Sequence, residues 1–403
     1  MHTRVVPETP PMQRKLNIAL VVDAIEKGGV ETYLFNLQRY FQDSGHCATI
    51  VACRRRGAWW DVAKSLGINC VCVPRSRFIS KVGHVRKVGK FLTDQAYDCI
   101  FLNHSRYGQA SLGMLPQHVV AIPVIHNDHD PIYKLACSNA TAWNIAIGVS
   151  PKVTNHVNRI LPDKPMQTIF HGVPSPAVAS IHNRVMLDGT VKMLFVGHIL
   201  HGPKGVLYLP EIVKGCIDKG INVSLTIVGD GNSLDSLKNR IQQARLSDRV
   251  AIVGSLSPDC VYQEMLAHHV LLMPSHFEGF GLVAVEAQAC GCVPIASKLP
   301  GITDQTIDDG RTGMLVNVGD IDAFVTCIEK FSKDPLLWRT LSQNGLSRVE
   351  RQFSIVAMGR AYLKVIHEAL LGKYPLQMER KQSPQIDTSL FTWRDYIPYL
   401  ALR

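Results

Sequence analysis

No run of apolar residues in this chain approaches the ~20 that a helix needs to cross a bilayer. The first fifteen residues are polar and carry proline, and the apolar run 16–22 is too short and strand-like for a signal peptide. Both absences make a cytoplasmic protein the default expectation, with peripheral contact at the cytoplasmic face of a membrane as the most that is expected. Paired C-x-x-C spacings are missing, which argues against a structural zinc. The eleven cysteines sit mostly within apolar runs (Cys47, Cys53, Cys99, Cys137, Cys290, Cys327), as small buried hydrophobes do in a reducing compartment. Charged residues are only 19% of the chain against 46% hydrophobic, which excludes a disordered polymer and leaves ordinary globular composition. At 403 residues there is enough chain for two domains, each with its own core.

Acidic charge is scarce in one half. Residues 1–180 hold 20 Lys and Arg against 11 Asp and Glu, a net of +9, whereas 181–403 hold 23 against 22. Within 54–90 ten basic residues face a single acid, Asp61. A solvated basic face is the ordinary meaning of such a run. Its density makes an anionic partner an equal contender: acidic lipid headgroups, a lipid diphosphate or an acidic glycan. No nucleic-acid-binding module accompanies the charge, so nucleic acid is not an expected partner.

Short β-type runs alternate with helix-type periods. Expected strands are 17–22, 47–52, 70–73, 98–102, 119–125, 145–149 and 167–170. Between them fall helices at 30–41, 59–66 and 80–94, and one that starts at Pro151. A polar, proline-bearing linker at 171–190 interrupts the pattern. A second series follows, with strands at 192–196, 223–228, 250–253, 270–273, 293–296 and 314–316, a helix from Asp320 to Phe331, and helices over 335–351 and 357–371. The aromatics of 391–400 are expected to clamp the tail onto a domain, with contact at a membrane interface as the other reading. The fold class is α/β: two Rossmann-like, doubly wound parallel-sheet domains facing across a cleft, with ligands at the carboxyl ends of the strands.

The densest chemistry is in 274–287. An apolar strand ends at Pro274, a loop with Gly279 and Gly281 holds Glu278, and the helix 282–289 carries Glu286. A strand, glycine loop, helix N-terminus and fixed acids suit a phosphorylated, hydroxyl-rich ligand. Other strand ends repeat the theme: Gly28-Gly29; Gly197 to Gly205 with His198 and Lys204; Gly229-Asp230-Gly231; and Gly254 with Leu256 and Ser257. In the first half, strand ends lead into Asn103-His104-Ser105-Arg106 and His126-Asn127-Asp128-His129-Asp130. The second cluster reads as metal ligands, His126 and His129 being three apart, or as contacts to a reacting substrate.

Taken in order, these motifs resemble the retaining glycosyltransferases of the GT-B fold, the family-4 or group 1 type. The resemblance covers roughly residues 16–370. It includes Gly28-Gly-Val-Glu31, Gly148-Val-Ser150, His171-Gly-Val173, Ala289-Cys-Gly-Cys-Val-Pro294 and Asp309-Gly-Arg-Thr-Gly313. It implies an acceptor-binding domain over 1–180 and a nucleotide-sugar domain over 181–352. It also implies that 353–403, a helix and tail, crosses back to the first domain. Glu286 matches the acid that holds the ribose hydroxyls, and Glu278 the acid facing the transferred sugar. Gly279 and the backbone N–H groups of Phe280, Gly281 and Leu282 hold sugar and diphosphate. Lys204 matches the cation on the leaving diphosphate, and Leu256 and Ser257 lie where backbone groups meet the base. Gly28, Gly29, Gly197, His198 and Gly229 complete the expected donor site. His126 matches a histidine near the reacting sugar, while His104, Asp128 and His129 are expected on the acceptor side. The family manages its leaving group without a metal, so no metal and no cofactor are expected. The donor is a UDP-, GDP- or ADP-type nucleotide sugar and the acceptor a glycan or lipid-linked molecule. A basic surface at 54–90 is a candidate contact with an anionic membrane.

Two positions depart from the family pattern. His198 stands where an arginine usually contacts the diphosphate, and Asp304-Gln305 where Pro-Glu is frequent. They motivate a second reading, a degenerate sugar- or glycan-binding protein that supports an active partner.

Overall fold

The computed structural model describes residues 14–174 and 189–377, together with 380, 386, 387, 389, 390 and 392. Most of the leading tail, the linker segment 175–188 and all of the 391–400 aromatic segment except Thr392 lie outside the described residues. The chain divides into two compact units. One comprises Met1–Val149, Thr154–Ile169 and Met358–Arg403; the other comprises Ser150–Val153 and Phe170–Ala357.

The first unit is built on a 7-stranded sheet. Its strands are β1 (Asn17–Val22), β2 (Cys47–Ala52), β3 (Cys70–Cys72), β4 (Cys99–Asn103), β5 (Val120–Ile125), β6 (Ala146–Gly148) and β7 (Met166–Thr168). They lie in the order β3-β2-β1-β4-β5-β6-β7, every pairing parallel. β4 and β5 are buried at every position, which is why they read as continuous apolar runs and not as alternation. The second unit has a 6-stranded sheet. It consists of β8 (Val191–Val196), β9 (Val223–Val228), β10 (Val250–Gly254), β11 (Val270–Met273), β12 (Val293–Ser297) and β13 (Met314–Val316), in the order β10-β9-β8-β11-β12-β13. Strand order reverses between β1 and β4 in one unit and between β8 and β11 in the other, and open α/β sheets bind ligands at such reversals.

Strand positions agree with the sequence expectation to within one or two residues. The helix expected over 357–371 instead runs Ile355–Leu370, because the Ser354 hydroxyl accepts the Ala357 N–H (3.2 Å) and starts the helix earlier. Two short helices, Arg106–Ala110 and Asp130–Cys137, were not expected. The first is capped by Ser105, whose Oγ accepts the Gly108 N–H at 3.0 Å, and the second opens on Pro131. The eleven cysteines are all free, yet Cys47 and Cys260 are exposed. Cys47 opens β2, where the sheet ends and the core no longer covers it.

The helix Ile355–Leu370 enters the first unit at Met358 and lies against the helix Gly29–Asp43. Gly359 makes the approach feasible: a Cβ there would stand 2.0 Å from a ring carbon of Tyr40. Below it the Tyr362 ring meets Phe101 of β4 edge-on (5.3 Å) and Tyr33 (5.9 Å).

Candidate active site

In the second unit the site begins where β8 and β11 lie side by side. After β8 the chain runs through Gly197 and His198 into a short helical turn, His201–Lys204. Gly205 ends that turn in a left-handed conformation (φ 64°) and presses on the end of β11: a Cβ there would lie 1.9 Å from the Pro274 carbonyl oxygen. Both features demand glycine. Three hydrogen bonds then tie the two loops together. The N–H groups of His276 and Phe277 donate to the Pro203 carbonyl (2.9 and 3.2 Å), and His276 Nδ1 donates to the Gly202 carbonyl (2.6 Å). His276 Nε2 in turn meets the Tyr208 hydroxyl at 3.1 Å.

The two loops thereby bring together a cation and an acid that are 74 residues apart. Lys204 Nζ lies 2.7 Å from Glu278 Oε1, and Ser275 Oγ donates to the same oxygen at 2.7 Å. Glu278 is buried, 9% exposed, while Lys204 keeps 24% of its side chain in contact with solvent. Sequence reasoning identified the charged pair as separate candidates but missed Ser275 and His276. A serine three residues before an acid carries no distinctive signal, and the partner of His276 is a carbonyl 74 residues away.

Gly281 takes a left-handed conformation and leads into the helix Leu282–Ala289, which has no side-chain cap. The N–H groups of Phe280, Gly281 and Leu282 donate to no described residue. Such a helix start favours an anion through its free donors and its dipole. The Phe280 side chain points elsewhere: it is buried among Phe170, His171 and Phe353, with ring centroids 5.2–6.0 Å apart. One turn into the helix, Glu286 is part-buried, and burial pushes its carboxyl up to about 8. The buried Tyr262 hydroxyl feels the Glu286 charge and has no hydrogen-bond partner among the described residues.

The adjoining strand ends form the rest of this edge. The Gly197 N–H donates to Val228 (3.0 Å) and the Gly229 N–H to Gly254 (2.8 Å), which stitches the ends of β8, β9 and β10 together. The Ser257 hydroxyl caps the helix Pro258–Ala267 through the Cys260 N–H (3.4 Å), and Leu256 packs on the core beside β11. His198 is exposed, and its ring makes no hydrogen bond or ion pair with described residues. Asp304, the other departure, accepts the Gly301 N–H at 3.0 Å and serves its own turn.

In the first unit, His126 stands at the end of β5. Its Nε2 donates to Asn103 Oδ1 (2.9 Å), and its backbone N–H donates to His104 Nε2 (3.2 Å). Burial lowers His104 to about 4, so it is a neutral acceptor at physiological pH. The Tyr33 ring packs against that of His126, with centroids 4.8 Å apart. Asp128 Oδ1 accepts the Tyr133 hydroxyl (2.7 Å), and His129 is exposed at the start of the helix Asp130–Cys137. Among the described residues no group of three or more His, Cys, Asp or Glu side chains is placed to hold a metal ion. Gly28 and Gly29 begin the helix Gly29–Asp43, in whose first turn the buried Glu31 accepts the Glu26 N–H (3.1 Å); burial pushes Glu31 up to about 7.

Residues 181–348 match the family described as glycosyl transferases group 1. Over 172 residues the chain is 35% identical to the capsular polysaccharide biosynthesis glycosyltransferase CapM of Staphylococcus aureus, covering 42% of this chain and 44% of CapM. The chain thus matches less than half the length of that relative. Among solved structures, Anabaena HepE in complex with UDP and glucose superposes with a TM-score of 0.74 at 18% identity, over 88% of this chain and 100% of HepE. A point mutant of S. aureus TarM, solved with fondaparinux, α-GlcNAc-glycerol and UDP, gives a TM-score of 0.74 at 13% identity over 87% of this chain and 100% of TarM. Residues 181–348 thus resemble the glycosyl transferases of group 1, and the chain has the GT-B fold.

Proposed function

We propose that the protein is a retaining glycosyltransferase. It moves a hexose-type sugar from a nucleotide-diphosphate sugar to a glycan or lipid-linked acceptor in polysaccharide or glycoconjugate biosynthesis. The observation that carries this reading is the pairing of Lys204 with the buried Glu278, 2.7 Å apart, beside an uncapped helix start. Lys204 and the N–H groups of Phe280, Gly281 and Leu282 take the donor diphosphate. Glu278, held by Ser275, turns its carboxylate to the sugar hydroxyls, and Glu286 accepts from the ribose diol. The expected arginine is absent at His198, so Lys204 and the helix carry the charge on the diphosphate. His126, oriented by Asn103, is assigned to the sugar and acceptor side. HepE, crystallised with UDP and glucose, supports a UDP-type donor, with GDP and ADP types as the other arms of the test.

In this reading the acceptor hydroxyl attacks the anomeric carbon from the face that the diphosphate leaves. The new glycosidic bond forms as the bond to the diphosphate oxygen breaks, and the acceptor proton passes to that departing oxygen. Negative charge grows on the leaving group, where preformed donors and a cation lower the barrier. The reaction as written needs neither a general base nor a cofactor. The test is a mass-spectrometric donor screen with lipid-linked and glycan acceptors. Glu286→Ala is expected to abolish transfer, and Lys204→Ala to slow it by about 10²-fold or more. Turnover unchanged in both variants would overturn the assignment.

A further inference from the structure

Three arginines of the first unit follow the carboxyl ends of strands in its sheet. Arg54 follows β2, Arg75 follows β3, and Arg106 follows β4 by way of His104 and Ser105. The three strands follow one another in the chain; in the sheet β1 lies between β2 and β4, and the carboxyl ends of all four are fastened together. The Arg75 N–H donates to the Arg54 carbonyl (2.9 Å), and the Arg54 N–H donates to the Asp23 carbonyl at the end of β1 (2.9 Å). Ser105 Oγ donates to Asp23 Oδ1 (2.8 Å), drawing the β4 loop to the same point. All three guanidinium groups act electrostatically on one hydroxyl, that of Tyr107.

None of the three arginines forms an ion pair with a described residue, whereas the nearby Arg55 is paired with Glu26. The buried Nε of Arg75 has no hydrogen-bond partner among the described residues. Asp23 accepts hydrogen bonds from Ser105 and from the N–H groups of Arg106 and Tyr107 and feels the charge of Arg54, but forms an ion pair with none of the three arginines. His84, which also lies near Arg75, bonds the Cys53 carbonyl and is held below its usual range by burial. Three guanidinium groups from three loops, without an ion pair among the described residues and one with a buried donor unfilled by them, match an anion with several acceptor oxygens.

We propose that Arg54, Arg75 and Arg106 form a phosphate-binding site at the carboxyl edge of the first sheet, and that this site takes a phosphoryl group on the acceptor. The acceptor class follows from the glycosyltransferase reading above; the anion site itself does not depend on it. The phosphoryl group has two sources, a lipid phosphate or a soluble sugar phosphate, and both present the same oxygens.

The experiment is calorimetry on the full chain, first with UDP, GDP or ADP and then with inorganic phosphate, farnesyl phosphate and glucose 6-phosphate. Wild type is expected to bind phosphate, and the ester that binds more tightly identifies the source. Each Arg→Gln variant weakens phosphate binding about tenfold. The triple variant is expected to abolish phosphate binding while nucleotide affinity stays within about twofold. Arg75→Lys keeps the charge but not the fork, and loses part of the affinity. Phosphate binding that is absent in wild type, or unchanged in the triple variant, overturns the proposal. So does arginine-dependent binding of a hexuronate disaccharide with no binding of any phosphate. If all three nucleotides fail to bind while phosphate still requires the arginines, the site stands and the transferase reading falls.

Discussion

The carboxyl of Glu286 gives the sharpest test of the donor site. Its ordinary value is 4.5, and burial raises it to about 8. At pH 7 only about one molecule in eleven then carries the carboxylate, and at pH 9 about ten in eleven. A ribose diol donates two hydrogen bonds and therefore selects the ionised form. Apparent donor affinity scales with the competent fraction, so it rises about tenfold from pH 7 to pH 9, equivalent to about 1.4 kcal/mol. Binding at pH 7 releases about 0.9 proton. The assay is calorimetry with a nucleotide sugar, whose diphosphate diester does not titrate in this range, in two buffers of different ionisation enthalpy. Glu286→Gln removes the pH dependence and the proton release along with most of the affinity. Affinity that is flat from pH 7 to pH 9 with no proton released would refute the reasoning. The same shift sets a stability trend. A carboxyl raised in the folded state favours folding while it is protonated, so its stabilisation is complete below 4.5 and is lost as pH rises toward about 8. Glu286→Gln should therefore raise the melting temperature more at pH 8 than at pH 5.

Other perturbations follow from the same geometry. Lys204→Ala leaves Glu278 buried with Ser275 as its remaining side-chain partner, and should cost about 2–3 kcal/mol in urea unfolding, below the full range for a buried pair because Lys204 is partly solvated. Adding Glu278→Gln should recover part of that loss; an additive double variant would show that the pair is not coupled. Gly205→Ala meets the Pro274 carbonyl and a left-handed backbone at once, so it should lower stability by more than about 2 kcal/mol and donor affinity with it. The basic segment 54–90 leaves Phe78 72% exposed, between Arg77 and Lys81. Co-sedimentation with anionic vesicles at low salt, reduced in Phe78→Ser, is the outcome expected of a membrane-facing surface. Equal recovery with neutral vesicles would reject that role.

The sequence determined a good deal by itself. Alternating apolar runs and helical periods located the strands almost to the residue, because a parallel strand buried on both faces is a local property of five or six consecutive side chains. Caps such as Asp320, and breaks such as Pro274 and Gly281, fixed where elements begin and end, and the ordered glycine and acid motifs indicated the family. What only the tertiary structure decided was which strand ends meet. Lys204 and Glu278 are 74 residues apart and become partners only because β8 and β11 lie side by side. Ser275, Asn103 and His276 owe their roles to atoms supplied by distant loops or turned toward them by the fold. Arg54 and Arg75 belong along the chain to one dense basic run and Arg106 to a separate loop; the order β3-β2-β1-β4 brings their strand ends to one edge. The physical reason is the same in each case. Local sequence fixes dihedrals and buried faces, but strand order follows from how crossover helices pack across a whole sheet, and that order decides which loops share a site.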